Sequence, residues 1–437
     1  MHEALRSLVV TLLTYEARLV LMRCQPRIVA ITGSVGKTTT KDAIYAAISG
    51  SVSARKSVKS FNSEIGVPLT ILGLPNAASN PLMWIINLLR GAYRVLMPGT
   101  YPEWLVLEIG ADRPGDVRSI ASWIRPDVAV ITGVPSVPVH VENFKSPEEL
   151  VREKSSLAEY LKPGGKLIVN GDDPLMRELA AEYRGVSVRY GFESGNEYFA
   201  SHDLIIYEGQ KPAGIQFRVN RVSREGEGSG CSLPVVVLGS LGYPRMYAAT
   251  AAIATAAAIG IDEVAAVKNL GSWEPPAGRV RILAGLKGAV IIDDTYNSSP
   301  AAVLSALDTL INVQAKRRLV VLGDMLELGR YSAEAHRMIG KRVAECATAL
   351  VTIGFRARAI AEAAIDAGMK EKNIKQYEMH EAARAGKELE SELQEGDLVL
   401  VKGSQALRME RTVLEIMAEP SRASELLVRM DREWMDR

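Results

Sequence analysis

The chain has 437 residues, 47% hydrophobic and 24% charged, with a net charge of +1. That length supports two or three globular domains, and the charge balance excludes a basic surface for tracking nucleic acid. Three separated cysteines and five histidines, with no C-x-x-C or H-x-x-H, argue against a disulfide framework or a zinc site and fit a reducing cytosol.

The first element is an apolar helix within residues 1–26, with Leu5, Leu8, Val9, Leu12 and Leu13, then Leu19, Val20 and Leu21, on one face and Arg6, Glu16, Arg18 and Arg23 beside it. Its longest uncharged run is too short to span a bilayer. Two readings stand: a helix packed on the next domain, or an interfacial helix lying on a membrane.

Arg27 to Gly50 reads RIVAITGSVGKTTTKDAIYAAISG. Ile28 to Ile31 form a short buried strand. Gly33, Ser34, Val35 and Gly36 form a loop, and Lys37 to Ser49 form a helix closed by Gly50. This is a phosphate cradle. Backbone N–H groups of a glycine loop converge on an anion at a helix N-terminus. Lys37 would reach the β- and γ-phosphates, the Thr38 hydroxyl would ligate Mg²⁺, and Thr39 continues the cradle. The first glycine of the cradle is Gly33, so the loop is tighter than the usual G-x-x-x-x-G-K-[ST].

The short loop TGSVGKTTT resembles that of the Mur ligases, which build the peptide of bacterial cell-wall precursors. Stretches further along resemble the branch that adds D-alanyl-D-alanine. The resemblance covers roughly residues 27–437. It implies an α/β fold: a P-loop central ATPase domain with a parallel sheet (27–278), then a Rossmann-like C-terminal α/β domain (279–437). That branch carries an N-terminal domain for the uridine nucleotide, and here only the helix of residues 1–26 is expected before the loop.

KSFNSEIGVPLTILGL resembles the family's N-x-x-I-G-V-P-L-T stretch, which would turn Asn62 toward the substrate peptide. Residues 81–98 give a second apolar helix, with Arg90 and Arg94 on one face; core packing and membrane contact are again both open. WLVLEIG is a buried strand ending at Glu108, placed to deliver a carboxylate to Mg²⁺. VHVENFKSPEELVREKSSL has the family's H-x-E-x-F-x-S spacing. The resemblance makes His140 a magnesium ligand and Lys154 the lysine that becomes a carbamate, an anionic oxygen ligand for a second Mg²⁺.

Residues 187–240 alternate and read as a small antiparallel flap, followed by an alanine-rich helix at 247–259. The family's adenine-contacting side chains ahead of that helix are replaced by Pro244, Arg245 and Ala248. GSWEPPAGRVR is a Pro/Gly-rich link. Within it, Arg279 resembles the arginine that closes onto the phosphates. AVIIDDTYNSSP resembles the D-Ala-D-Ala-adding branch most specifically, placing Asp294 on the ribose and Tyr296, Asn297 and Pro300 beside the adenine. Strands then alternate with helices to the end. VLGDMLELG with His336 matches the same branch and assigns Asp324 to the incoming dipeptide. VKGSQALRMER places Lys402, assisted by Ser404, near an acyl phosphate.

The resemblance therefore implies an ATP- and Mg²⁺-dependent peptide ligase. Its small-molecule substrates would be a UDP-linked muramoyl peptide and D-Ala-D-Ala. A cytoplasmic monomer is expected, and peripheral membrane contact through 5–23 and 81–98 stands open beside core packing. Three alternatives stand beside it: a ligase of the same chemistry with another carboxylate and amine, a nucleotide-hydrolysing switch, and a scaffold that keeps only the fold. DDTYNSSP and GDMLELG argue against a folate-type glutamate ligase.

Overall fold

The computed structural model describes residues 3–58, 61–78, 80–134, 141–222, 230–431 and 434. The chain forms two α/β lobes, each built on its own sheet.

The first lobe opens with α1 (Glu3–Cys24), β1 (Arg27–Thr32), α2 (Lys37–Ser49), β2 (Ala54–Lys56), α3 (Gly66–Leu72) and α4 (Pro81–Leu96). Next come β3 (Trp104–Glu108), α5 (Asp116–Ile124), β4 (Val128–Ile131), α6 (Pro147–Ser155), β5 (Lys166–Asn170) and α7 (Pro174–Glu182). It ends with β6 (Val186–Gly191), β7 (Tyr198–Glu208), β8 (Lys211–Arg221), β9 (Cys231–Leu238), α8 (Tyr243–Ala258) and α9 (Glu263–Leu270).

The nine strands form one sheet in the order β2-β3-β1-β4-β5-β6-β7-β8-β9. Pairings are parallel as far as β6–β7 and antiparallel for β7–β8 and β8–β9. The alternating stretch at 187–240 holds the antiparallel strands β7, β8 and β9. Parallel pairing of Tyr190 with Tyr198 joins β7, and through it β8 and β9, to the central sheet.

β1 lies between β3 and β4, so its two neighbours leave it on opposite sides. This is the switch point where an open α/β sheet splays its loops and receives ligands. Apolar residues cover both faces of the sheet. On one face α2 packs on the alanine-rich α8, whose small side chains permit a close approach. On the other lie α1, α3, α4 and α5.

The second lobe begins with β10 (Arg281–Ala284), β11 (Val290–Asp294), α10 (Pro300–Asn312), β12 (Arg317–Gly323), α11 (Ser332–Cys346) and β13 (Ala349–Ile353). It continues with α12 (Arg358–Asp366), β14 (Ile374–Tyr377), α13 (Ala382–Glu392), β15 (Asp397–Lys402), α14 (Glu410–Ile416) and α15 (Ala423–Leu426). Its sheet runs β10-β11-β15-β12-β13-β14, parallel except at the β10 edge, with apolar clusters on both faces.

Candidate active site

The phosphate loop follows the apolar strand β1. Gly33 has φ 141°, and a Cβ there would lie 2.0 Å from Thr132 Oγ1. Only glycine fits where the loop runs this close to the end of β4. Ser34 N donates to the Gly133 carbonyl at 3.0 Å, and Thr132 Oγ1 donates to the Val35 carbonyl at 2.6 Å. Gly36, at φ 84°, caps α2 without a side-chain hydrogen bond, and the positive end of the helix dipole there favours an anion. Lys37 Nζ folds back onto the Gly33 carbonyl at 2.9 Å, and burial pulls its ammonium below the usual lysine range. Ser34 Oγ is buried and has no hydrogen-bond partner among the described residues.

Glu108 ends β3 beside this loop and is 1% exposed. Its Oε2 accepts from Thr38 Oγ1 at 2.9 Å, and its Oε1 accepts from Asn62 Nδ2 at 3.1 Å. Buried Lys41 stands 3.7 Å from the same carboxylate. A hydroxyl and a carboxylate oxygen at the mouth of a phosphate loop are the hard donors Mg²⁺ takes alongside phosphate oxygens and water. Thr38 and Glu108 fit that ion. Asn62 reaches Glu108 directly and also lines a cavity, described below.

Lys154, near the end of α6, is 1% exposed. Burial, helped by the nearby Lys37 charge, pulls its ammonium down to about 7. A lysine brought down to about 7 keeps a substantial neutral fraction at neutral pH, with the free lone pair needed to add CO₂. Asp112 lies close enough to both lysines to influence them, and it lines the same cavity as Lys37. His140 lies outside the described residues.

Two cavities open where the lobes face each other. The first, about 770 Å³, is lined by Thr39, Asn170, Asp173, Tyr247, Arg245 and Asp294. Its size and mixed apolar and polar wall suit a nucleoside. Tyr247 donates to Asp172 at 2.8 Å, and Asp172 also takes backbone N–H groups of Phe192 and Glu193. Arg245 is fully buried, lies over the Trp273 ring, and donates to Ser240 Oγ and to the Arg279 carbonyl. Motif reading missed Asn170, Asp172 and Tyr247. They come from β5, its following turn and α8, and only the fold brings them together.

The second cavity, about 720 Å³, is lined by Lys37, Thr38, Asn62, Glu108 and Asp112 from the first lobe and by Asn297, Leu326, Glu327 and Ser404 from the second. Val35, Gly36, Arg279 and Ala302 border both cavities. Arg279 stacks 4.1 Å from the Tyr296 ring centroid, and its Nε has no hydrogen-bond partner among the described residues.

The packing of the second lobe positions its expected site residues differently from one another. Lys402 does not face the second cavity. Asp294 and Lys402 pair in register on β11 and β15, which sets Nζ 2.6 Å from Asp294 Oδ2 and 2.9 Å from the Asn297 carbonyl, on the nucleotide side. Asn297 lines the second cavity rather than the first. Pro300 is buried at the first position of α10 and lines neither. Asp324 also lines neither: its carboxylate fills the notch over Gly354 and accepts from Ala357 N at 2.7 Å. Leu326 and Glu327, further along the same loop, line the second cavity. Ser404 lines the second cavity and accepts from Leu326 N at 2.9 Å. His336 is buried and braces this loop by accepting from Met325 N at 3.0 Å.

A phosphate loop at the switch point of one sheet, facing a second lobe across a divided cleft, defines a two-lobed ATP-dependent enzyme of the P-loop class. The Mur ligase middle domain profile matches residues 31–86 and 87–256, and the Mur ligase glutamate ligase domain profile matches 278–405. The chain belongs to the Mur ligase family. It is 29% identical over 412 residues to the UDP-N-acetylmuramoyl-tripeptide--D-alanyl-D-alanine ligase of Bacillus subtilis, covering 94% of this chain and 80% of that one. Its similarity to the ligase of that name from Mycobacterium tuberculosis H37Rv is 26%, over 87% of this chain and 70% of the other. The crystal structure of MurF ligase from Thermotoga maritima in complex with ADP superposes with a TM-score of 0.74 at 26% identity, covering 93% of this chain and 83% of that one.

Proposed function

We propose that this chain joins D-Ala-D-Ala to UDP-N-acetylmuramoyl-tripeptide in an ATP-driven reaction through an acyl phosphate. The observation that carries the reading is the meeting of the two cavities at Val35, Gly36 and Arg279. A nucleotide in the first would present its γ-phosphate to whatever occupies the second.

The tripeptide carboxylate attacks the γ-phosphorus, and ADP leaves. The amine of the dipeptide then attacks the acyl carbon. An amide forms, a proton is lost from nitrogen, and phosphate departs carrying one former carboxylate oxygen. Lys37 and Arg279 offset the charge that spreads over the phosphoryl oxygens. Bound Mg²⁺ would neutralise the phosphates, held by Thr38 and Glu108, with Lys154 adding an oxygen once carbamylated. Asn62 orients Glu108 and borders the substrate. Asp294, held by Lys402, meets the ribose. Glu327 and Ser404 border the incoming amine, and closure of the lobes keeps water from the acyl phosphate.

One chain supplies both walls of the cleft, which supports action as a monomer. Its three free cysteines fit the reducing compartment where ATP is made.

The test is incubation with ATP, Mg²⁺ and both substrates, read by mass. The expected result is a product heavier than the tripeptide substrate by the dipeptide less one water, with ADP and phosphate released in equal amounts. Phosphate release independent of the amine, with no product, would support a switch instead. Turnover only with another carboxylate and amine would move the chain to a sister activity.

A further inference from the structure

The helix α4 has its faces reversed relative to a core helix. Trp84, Asn87 and Gly91 are buried, while Leu82, Ile85, Leu89, Tyr93 and Leu96 stand 56–67% exposed. Their spacing of three and four residues draws one apolar stripe along the helix, pointing away from the protein. α1 packs beside it. The two approach so closely that a Cβ on Gly91 would lie 1.9 Å from Glu16 Oε2. Leu12 stands one turn from Glu16, on the row that meets α4. With Leu8, Tyr15 and Met22 it extends the exposed apolar surface across α1, at 40–65% exposure.

Scattered exposed apolar residues are ordinary, but a contiguous face on two packed helices marks an interaction surface. Its charge identifies the partner. α4 carries Arg90 and Arg94 and no acid. Among the described side chains of α1, Arg6 is paired with Glu64 at 3.2 Å, Arg18 lies over the Trp123 ring, Arg23 donates to the Val95 carbonyl, and the single acid, Glu16, is turned inward against Gly91. Two tyrosines stand within the apolar face. Neither helix is long and apolar enough to cross a bilayer. Aliphatic side chains, tyrosines and arginines on a helix pair that lies flat are the pattern of interfacial binding to an acidic lipid surface.

We propose that α1 and α4 dock this enzyme onto an anionic bilayer, with the stripe from Leu82 to Leu96 in the headgroup–acyl boundary and Arg90 and Arg94 at the lipid phosphates. No described residue of α1 or α4 lines either cavity, so docking and ligation are separable.

The test is flotation of the full chain with vesicles of phosphatidylcholine alone or mixed with phosphatidylglycerol, with sedimentation velocity run alongside. The wild type is expected to float with the anionic vesicles at least about tenfold better than with the neutral ones, and to be released by high salt. I85E/L89E is expected to abolish flotation while leaving nucleotide binding and the melting temperature unchanged. R90E/R94E is expected to remove the preference for anionic lipid. Failure of the wild type to float, or flotation indifferent to both variants, would overturn the proposal. So would a dimer, dispersed by I85E/L89E, in place of vesicle binding, since the face would then belong to a second copy.

Discussion

Thr38 Oγ1 lies 2.9 Å from Glu108 Oε2, so the first turn of α2 and the end of β3 share one hydrogen bond at the mouth of the phosphate loop. Glu108 is also held by Asn62 and approached by Lys41. Its position is therefore fixed before any ion arrives. Glu108→Gln keeps the shape and removes the charge. It is expected to raise the Mg²⁺ concentration for half-maximal rate by about 10–100-fold, with a smaller effect from Asn62→Ala, which acts through Glu108. Titrating the rate with Mg²⁺ checks both.

Lys154 gives a stability test with a defined sign. Its ammonium is held at about 7 in the folded protein, against 10.5 for an exposed lysine. Between those values the unfolded chain binds the extra proton, so the cost of burying Lys154 is full below pH 7 and fades as pH rises toward 10.5. Lys154→Met should therefore melt higher than the wild type at pH 7, by a margin that shrinks at higher pH, in CO₂-free buffer. The same variant should lose nearly all turnover. Partial rescue by a short carboxylic acid would show that the missing group is an anionic oxygen ligand.

Lys402 and Asp294 form an ion pair at 2.6 Å, with side chains 2% and 7% exposed. Removing one partner leaves a buried charge, so Lys402→Met alone should cost about 3–5 kcal/mol. Lys402→Met with Asp294→Leu should recover most of that stability but not nucleotide affinity, because Asp294 borders the nucleoside cavity. Chemical denaturation and ADP titration separate the two effects.

Gly33→Ala places a methyl where Thr132 Oγ1 stands. The loop must open, and ADP affinity should fall by about 100-fold or more, with about 1–3 kcal/mol of added strain. Thr132→Ala in the same chain should restore part of the affinity by vacating the space.

The fold was legible wherever one local pattern sufficed. The apolar run Ile28–Ile31, the two glycines and the helix Lys37–Ser49 appear as β1, the loop and α2, and Lys166–Asn170 and Ala349–Ile353 are strands as their apolar runs require. Long-range pairing was not legible. Nothing in VLGDMLELG reveals that Gly354 opens a notch for Asp324, nor does VKGSQ reveal that strand register sets Lys402 on Asp294. The periodicity of residues 81–98 fixed an amphipathic helix but not which face meets the protein. Trp84 and Asn87 decide that by donating to the Ala78 and Pro75 carbonyls, and Gly91 by admitting Glu16 of α1. Asp112 escaped notice because its role depends on Lys37 and Lys154 arriving beside it from two different helices.

The most direct measurement follows an oxygen atom. UDP-N-acetylmuramoyl-tripeptide labelled with ¹⁸O in its terminal carboxylate is turned over with ATP and D-Ala-D-Ala, and the released phosphate is analysed by mass. Ligation through an acyl phosphate predicts one ¹⁸O in each phosphate and one retained in the new amide. Phosphate carrying oxygen from water alone would contradict the account and leave an ATPase that never activates the carboxylate.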